Sequence, residues 1–450
     1  MAVISARKDR IWRRQPEGES LIRAKIDEAL KCVDGAADFA KRLEQHAAIR
    51  LRDIVDHLAL APDDIKAAQA AGWRRGTDDV WRNPEGLFPA LIERERTEIW
   101  LRVESIDQFK IATGISAPTE GKPGASLRRG IAFARADTCF GVIERNGFAG
   151  YHTSDEDDGY IRLARVGLQR FRARRREFDT VENGLDYTEK LVDDVVAAVG
   201  SHRACDLWLK AERDYWMRRC HAGAVQKQRQ DALGVGWANI DHHTYDGSRR
   251  HFRRTIGILE KLGYELREML YAGELAGWGS QVLEQRVIGS TIFADVDLGP
   301  DELLVDFAHE ELPELPKHRR AGLVSALLGE SILEAGLNHV AALYDQNLFR
   351  SQMQALGIGM MPPFSSFPHL YQELTTGDWF PVDPTRIDEL ERAGHINAAE
   401  AERLRLDGTV ATHLENIERN DAYKGFNREG IDNVLRKLDP RGYEKPPGKR

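Results

Sequence analysis

Cysteine is scarce in this chain, with four residues in 450 (Cys32, Cys139, Cys205 and Cys220) and no CxxC pair among them. That spacing argues against a zinc–thiolate site and offers no disulfide framework, so a reducing compartment is expected. Long apolar runs are missing too, and nothing approaches the roughly 20 residues that cross a bilayer. Residues 1–14 are basic but carry no apolar stretch long enough for a secretory leader. A cytoplasmic protein with no membrane partner is therefore expected. Positive charge is not in surplus: 64 Lys and Arg stand against 72 Asp and Glu, a formal net charge of -8. Nucleic acid is therefore not an expected partner. The one strongly basic run, 162–176, lies between acidic runs at 155–158 and 177–182 and reads as a solvated helix face.

What is present is a soluble, globular balance of 42% hydrophobic and 30% charged residues, in a chain long enough for two or three domains. Apolar positions at helical spacing over 17–45 predict one or two amphipathic helices. The run 54–60 is short and apolar and predicts a buried strand, followed by a helix over 65–71. Strands are then expected near 80, over 87–92 and 98–106, and in a run ending at Glu144. Long helices are predicted over 188–233. A second unit follows, with a strand over 237–245, a helix over 249–262, and strands over 264–271, 280–285 and 290–298. Both units have the order βαβββ, an internal echo that outweighs any single motif. The expected fold class is α+β, with tandem βαβββ modules forming a curved half-barrel. The expected division is N-terminal helices (1–50), first module (51–185), helical linker (186–235), second module (236–300) and a mostly helical C-terminal region (301–450). The tail from 439 to 450 is expected to be disordered.

Two such modules set edge to edge let residues on their first strands converge. A histidine from each, with a carboxylate from a late strand, would form a two-histidine, one-carboxylate site with open positions. Such a donor set suits non-haem Fe(II), with Mn(II) or Co(II) as alternatives. The candidate ligands are His57, His243 and Glu144, with His242 and Asp297 as substitutes. His242 and His243 are the only adjacent pair among 14 histidines. Neighbours on a strand point to opposite faces, so only one of the two can face inward. Plainer roles stay open: a buried structural imidazole for His57, and an ion pair with Arg145 or another arginine for Glu144.

Three stretches carry a resemblance. Asp56-His57-Leu58-Ala59 partly matches an Asn-His-Leu-Thr pattern. Leu101-Arg102-Val103-Glu104-Ser105 fits Leu-Arg-x-x-Ser. Phe140-Gly141-Val142-Ile143-Glu144-Arg145-Asn146-Gly147 fits Phe-Gly-x-Ile-Glu-x-x-Gly at every fixed position. In these the chain resembles the 2-oxoadipate dioxygenase/decarboxylase (hydroxyglutarate synthase) family of the vicinal-oxygen-chelate superfamily, over roughly residues 54 to 300. The resemblance implies a non-haem Fe(II) on His57, Glu144 and a second histidine. A swapped module order places that histidine at His243. A competing match, His46-Ala47-Ala48-Ile49-Arg50, lies too close to His57 to leave room for a module between them. The family's arginine four residues after the metal histidine, which binds the substrate carboxylate, is missing, because Gly247 stands there. Arg102 is expected to replace it, with Arg249 and Arg250 as alternatives. The implied activity is that of a dioxygenase/decarboxylase acting on a 2-oxo acid and O2. Two rivals are a redox-neutral isomerase or lyase of glyoxalase type, and a non-catalytic binding protein using the helices at 188–233 and 323–349.

Overall fold

The structure is a computed structural model that describes residues 11–116, 118–427 and 436–443. Helices α1 (Pro16–Cys32) and α2 (Asp34–Ala47) come first, and bury one apolar stripe each, Ile22, Ile26 and Ala29 on α1 and Phe39 and Leu43 on α2. The first sheet is then built from β1 (Val55–Leu60), α3 (Pro62–Ala70), β2 (Arg74–Arg75), β3 (Trp81–Arg82) and β4 (Ala90–Glu93). It is completed by β5 (Thr97–Arg102), α4 (Ile106–Thr113), β6 (Leu127–Arg135) and β7 (Thr138–Arg145). Its strand order is β2-β3-β4-β1-β5-β7-β6. Four helices follow: α5 (Asp158–Arg172), α6 (Val181–Val199), α7 (Ser201–Met217) and α8 (His221–Ala232). The basic run behaves mostly as a solvated face. Ile161, Ala164 and Phe171 of α5 are buried, while Arg170 and Arg172 pair at the surface with Asp194 and Asp214. Arg174 departs from this, being buried against Glu212 at 2.9 Å.

The second sheet begins with β8 (Ile240–Gly247), α9 (Phe252–Lys261), β9 (Glu265–Tyr271), β10 (Trp278–Gln285) and β11 (Ser290–Asp297). After α10 (Arg320–Leu328) come β12 (His339–Leu343), α11 (Gln346–Ala355), β13 (Ser365–Phe367), β14 (Leu370–Leu374) and β15 (Asp378–Phe380). Helices α12 (Pro384–Arg392) and α13 (Ala398–Asp407) precede the last strand, β16 (Thr409–Arg419). The order is β13-β14-β16-β12-β8-β11-β10-β9, with β15 also on β16.

The architecture is α+β with tandem βαβββ-like modules on curved sheets, as expected, but there are four modules instead of two, the second (β5, α4, β6, β7) being one strand short. Each sheet is itself a pair. In every module the first strand lies parallel to the last: β1 to β4, β5 to β7, β8 to β11 and β12 to β16. The two modules of a sheet join through antiparallel first strands, β1 with β5 and β8 with β12. The region beyond 300, expected to be mostly helical, supplies the fourth module and five strands, β12 to β16. Strands β12 to β15 are five residues or fewer, and β16, though 11 residues long, is buried along nearly all its length, so period-2 alternation does not show. The tail is structured as far as it is described: Arg403 donates to the carbonyls of Pro440 and Tyr443 at 2.6 and 2.7 Å, and 444–450 lies outside the described residues. One apolar cluster runs from Ile22 through both sheets to Leu414, so the halves share a core.

Candidate metal centre

The antiparallel pairing of β8 with β12, and the parallel pairing of β12 with β16, bring one side chain from each strand to a single point. Those side chains are His242, His339 and Glu415, whose ligand atoms lie within 4.8 Å of one another. Among the described residues this is the group of histidine, cysteine and carboxylate side chains able to hold a metal ion. Glu415 Oε2 is 3.4 Å from His242 Nε2 and 3.1 Å from His339 Nε2. Its other oxygen accepts from Gln372 Nε2 at 2.8 Å.

Each imidazole is oriented from behind. His242 Nδ1 lies 2.8 Å from Asp241 Oδ1, and Asp241 accepts from Arg419 Nε and Nη2 at 2.6 and 3.1 Å. His339 Nδ1 lies 2.9 Å from Asn338 Oδ1. A histidine whose far nitrogen is bound to a carboxylate or amide presents the near nitrogen's lone pair in a fixed direction, the usual support for a metal ligand. Burial disfavours the charged form of His242, but Glu415 and Asp241 outweigh it and raise its pKa to about 9. Burial likewise opposes ionisation of Glu415, yet the two imidazoles bring it down to about 2. His339 is lowered, by burial first. Two imidazoles and one ionised carboxylate, converging with their outer partners already made, fit a divalent transition metal.

The triad opens on a cavity of about 60 Å3 walled by Trp278, Phe293 and Phe364, with Arg320 and Asn338 at its polar end. Arg320 begins α10 and donates to Asp246 Oδ1 at 2.9 Å, while its buried Nε has no hydrogen-bond partner among the described residues. Asp295 lines the same cavity and is paired with Ser280. Burial, reinforced by Asp246, pushes its pKa up to about 7.

The structure does not gather the residues expected from the sequence. His57, Glu144 and His243 form no such group among the described residues. His243 points away from the triad because it alternates with His242 on β8. Its Nε2 lies 3.2 Å from Arg213 Nη1 in a different cleft. Glu144 accepts from the Ile106 amide and Arg128 Nη1, both at 3.0 Å, and anchors the start of α4. Arg102 reaches Asp56 at 3.2 Å and lines other cavities, so it gives way to Arg320 as the arginine beside the triad. Asp297 accepts from the Arg319 amide at 2.8 Å, and His46 is exposed on α2.

His57 nonetheless has an exact counterpart by register. It faces Trp100 on β5, which faces Gly141 on β7; His242 faces Ala341 on β12, which faces Glu415 on β16. Two residues along, Glu98 stands where His339 does. The Asp–Arg support is also repeated, since Asp56 holds His57 Nδ1 at 2.8 Å and accepts from Arg145 at 2.7 and 2.8 Å. The first sheet therefore repeats the frame of the site without its donors. Gly141 replaces the carboxylate, the Trp100 ring lies against it where a Cβ would stand, and that ring stacks on His57 at 5.5 Å. The missed ligands had a signal in the sequence: Ile-Glu-Arg-Asn occurs at 143–146 and again at 417–420, two residues after Glu415.

No family model matches the chain, and no curated protein matches it. Among solved structures, it is similar to a mutant 4-hydroxymandelate synthase from Streptomyces coelicolor, at 12% identity over 77% of this chain and 98% of that one, with a TM-score of 0.29. It is also similar to methylmalonyl-CoA epimerase from Mycobacterium tuberculosis, at 10% identity over 41% of this chain and 89% of that one, with a TM-score of 0.22. Likenesses this distant decide nothing about the chemistry, which rests on the chain's own residues.

Proposed function

We propose that the chain is a metal-dependent enzyme of the vicinal-oxygen-chelate kind, with His242, His339 and Glu415 as the protein ligands of Fe(II), acting with O2 on a small 2-oxo acid. The observation that carries this reading is the convergence of the three donors at the wall of a buried cavity that also holds an arginine. The metal would supply Lewis acidity and redox chemistry to an acid that chelates it. The protein supplies the rest. Asp241 and Asn338 fix the two imidazoles, and Gln372 holds the carboxylate oxygen facing it. Arg320 offers a buried guanidinium to the substrate's carboxylate. Trp278, Phe293 and Phe364 keep the cavity apolar and shield it from bulk water.

The test is an oxygen electrode. Protein reconstituted with Fe(II) under anaerobic conditions is mixed with a panel of 2-oxo acids in aerated buffer. Consumption of O2 with release of CO2, both abolished in His339→Ala, is the expected result. A second reading is favoured by Asp295, whose pKa near 7 suits a proton carrier in the same cavity. On that reading the enzyme is a redox-neutral isomerase or lyase, and substrate turns over with no O2 consumed. The same experiment separates the two.

A further inference from the structure

The reverse face of β8 borders a second cleft, of about 100 Å3, between the two sheets and α7. Four cations line it: Arg102, Arg145, Lys210 and Arg213. The anions near them do not balance this charge. Asp206 lines the cleft but is taken by Lys210 at 2.9 Å. Glu104 also lines the cleft, and its partner Lys227, at 3.1 Å, is shared with Asp231 at 2.5 Å. Asp56 is one carboxylate shared by two guanidiniums, with Arg145 at 2.7 Å and Arg102 at 3.2 Å. Arg213 makes no close ion pair with a carboxylate among the described residues, although Glu104 lies near enough to feel its charge, and its buried Nε has no hydrogen-bond partner there. Its one hydrogen-bond neighbour, His243 Nε2 at 3.2 Å, is a ring nitrogen that brings no negative charge. Counting Lys227 with the four lining cations against Asp56, Glu104, Asp206 and Asp231 leaves a surplus of one positive charge, on planar guanidiniums that match oxygen pairs of a carboxylate or phosphate.

We infer that this cleft is a binding site for a small oxyanion, a phosphate monoester or a short dicarboxylate, seated between Arg213 and Arg102. The site is separate from the metal cavity, because His242 and His243 face opposite sides of β8. Leu209, Trp237 and Ile240 form its apolar walls and lower the local dielectric around the bound charge.

Calorimetric titration of the full-length, metal-loaded protein with inorganic phosphate and, separately, succinate tests the inference. Saturable binding of at least one is expected, weakened at least tenfold in Arg213→Met, less so in Arg213→Lys, and reduced by added salt. Phosphate alone binding would identify the phosphoryl class, and succinate alone the dicarboxylate class. Metal content should be unchanged in both variants, since Arg213 touches none of the three donors. Should Arg213→Met fail to fold, modification of the wild-type protein with phenylglyoxal followed by peptide mapping replaces it, and Arg213 is expected to be protected by the anion that binds. No saturable binding of either anion, equal binding in Arg213→Met, or no protection of Arg213 would overturn the inference.

Discussion

At His242 a proton and the proposed metal ion would compete for the same nitrogen. Nε2 faces Glu415 at 3.4 Å, and the ring's pKa is raised to about 9 by Glu415 and Asp241 against the opposing effect of burial. Below pH 9 a divalent ion must displace that proton, so metal affinity falls as pH falls. Apparent affinity is expected to rise about tenfold per unit from pH 7 to about 9 and to level off above, because one proton is released per ion bound. Competition against a chromophoric chelator across that range measures it, and an affinity flat with pH would contradict the protonation scheme. Asp241 gives a second test. Asp241→Asn removes the charge behind His242 and leaves Arg419 buried without its ion partner. Metal affinity is expected to fall about 10–100-fold, and stability by about 3–5 kcal/mol. The matching change Asp56→Asn strips Arg145 of its partner in the same way. It should cost similar stability, read by chemical denaturation, and leave metal affinity intact. A loss of metal in Asp56→Asn would mean that the first sheet takes part in the centre.

Within the elements, what was legible in the sequence and what was not have one cause. The βαβββ order showed in both halves, and β1, β9, β10 and β11 lie within two residues of the expected strands. The pairing of modules through their first strands did not show, because β12 is a five-residue segment, His-Val-Ala-Ala-Leu, in a stretch that reads as helix. Two of the three proposed ligands, His339 and Glu415, lie on β12 and β16, in the region expected to be helical. His242 and His243 differ in the face of β8 that they take. A lone strand offers no way to decide that: two adjacent histidines are symmetric until the neighbouring strands define the concave side. The best motif match, at 140–147, fell on the copy in which Gly141 occupies the carboxylate's place. Its glutamate, Glu144, corresponds to Glu418 and not to Glu415, three residues away and on the other face.

Taken whole, the molecule is two copies of one frame sharing a core, with the candidate metal donors in one copy and an indole in the other. The Trp100 ring occupies the first copy's centre, and the Glu98 carboxylate there is spent on Trp100 Nε1 at 2.8 Å and Arg96 at 2.6 Å. The full chain should therefore bind one transition metal ion, not two. Elemental analysis of six alanine variants, each purified without chelators and reconstituted with Fe(II), tests this most directly. His242→Ala, His339→Ala and Glu415→Ala should lose the ion while His57→Ala, His243→Ala and Glu144→Ala keep one per chain. The ion lost from the second set and retained by the first would contradict the assignment of the centre to β8, β12 and β16.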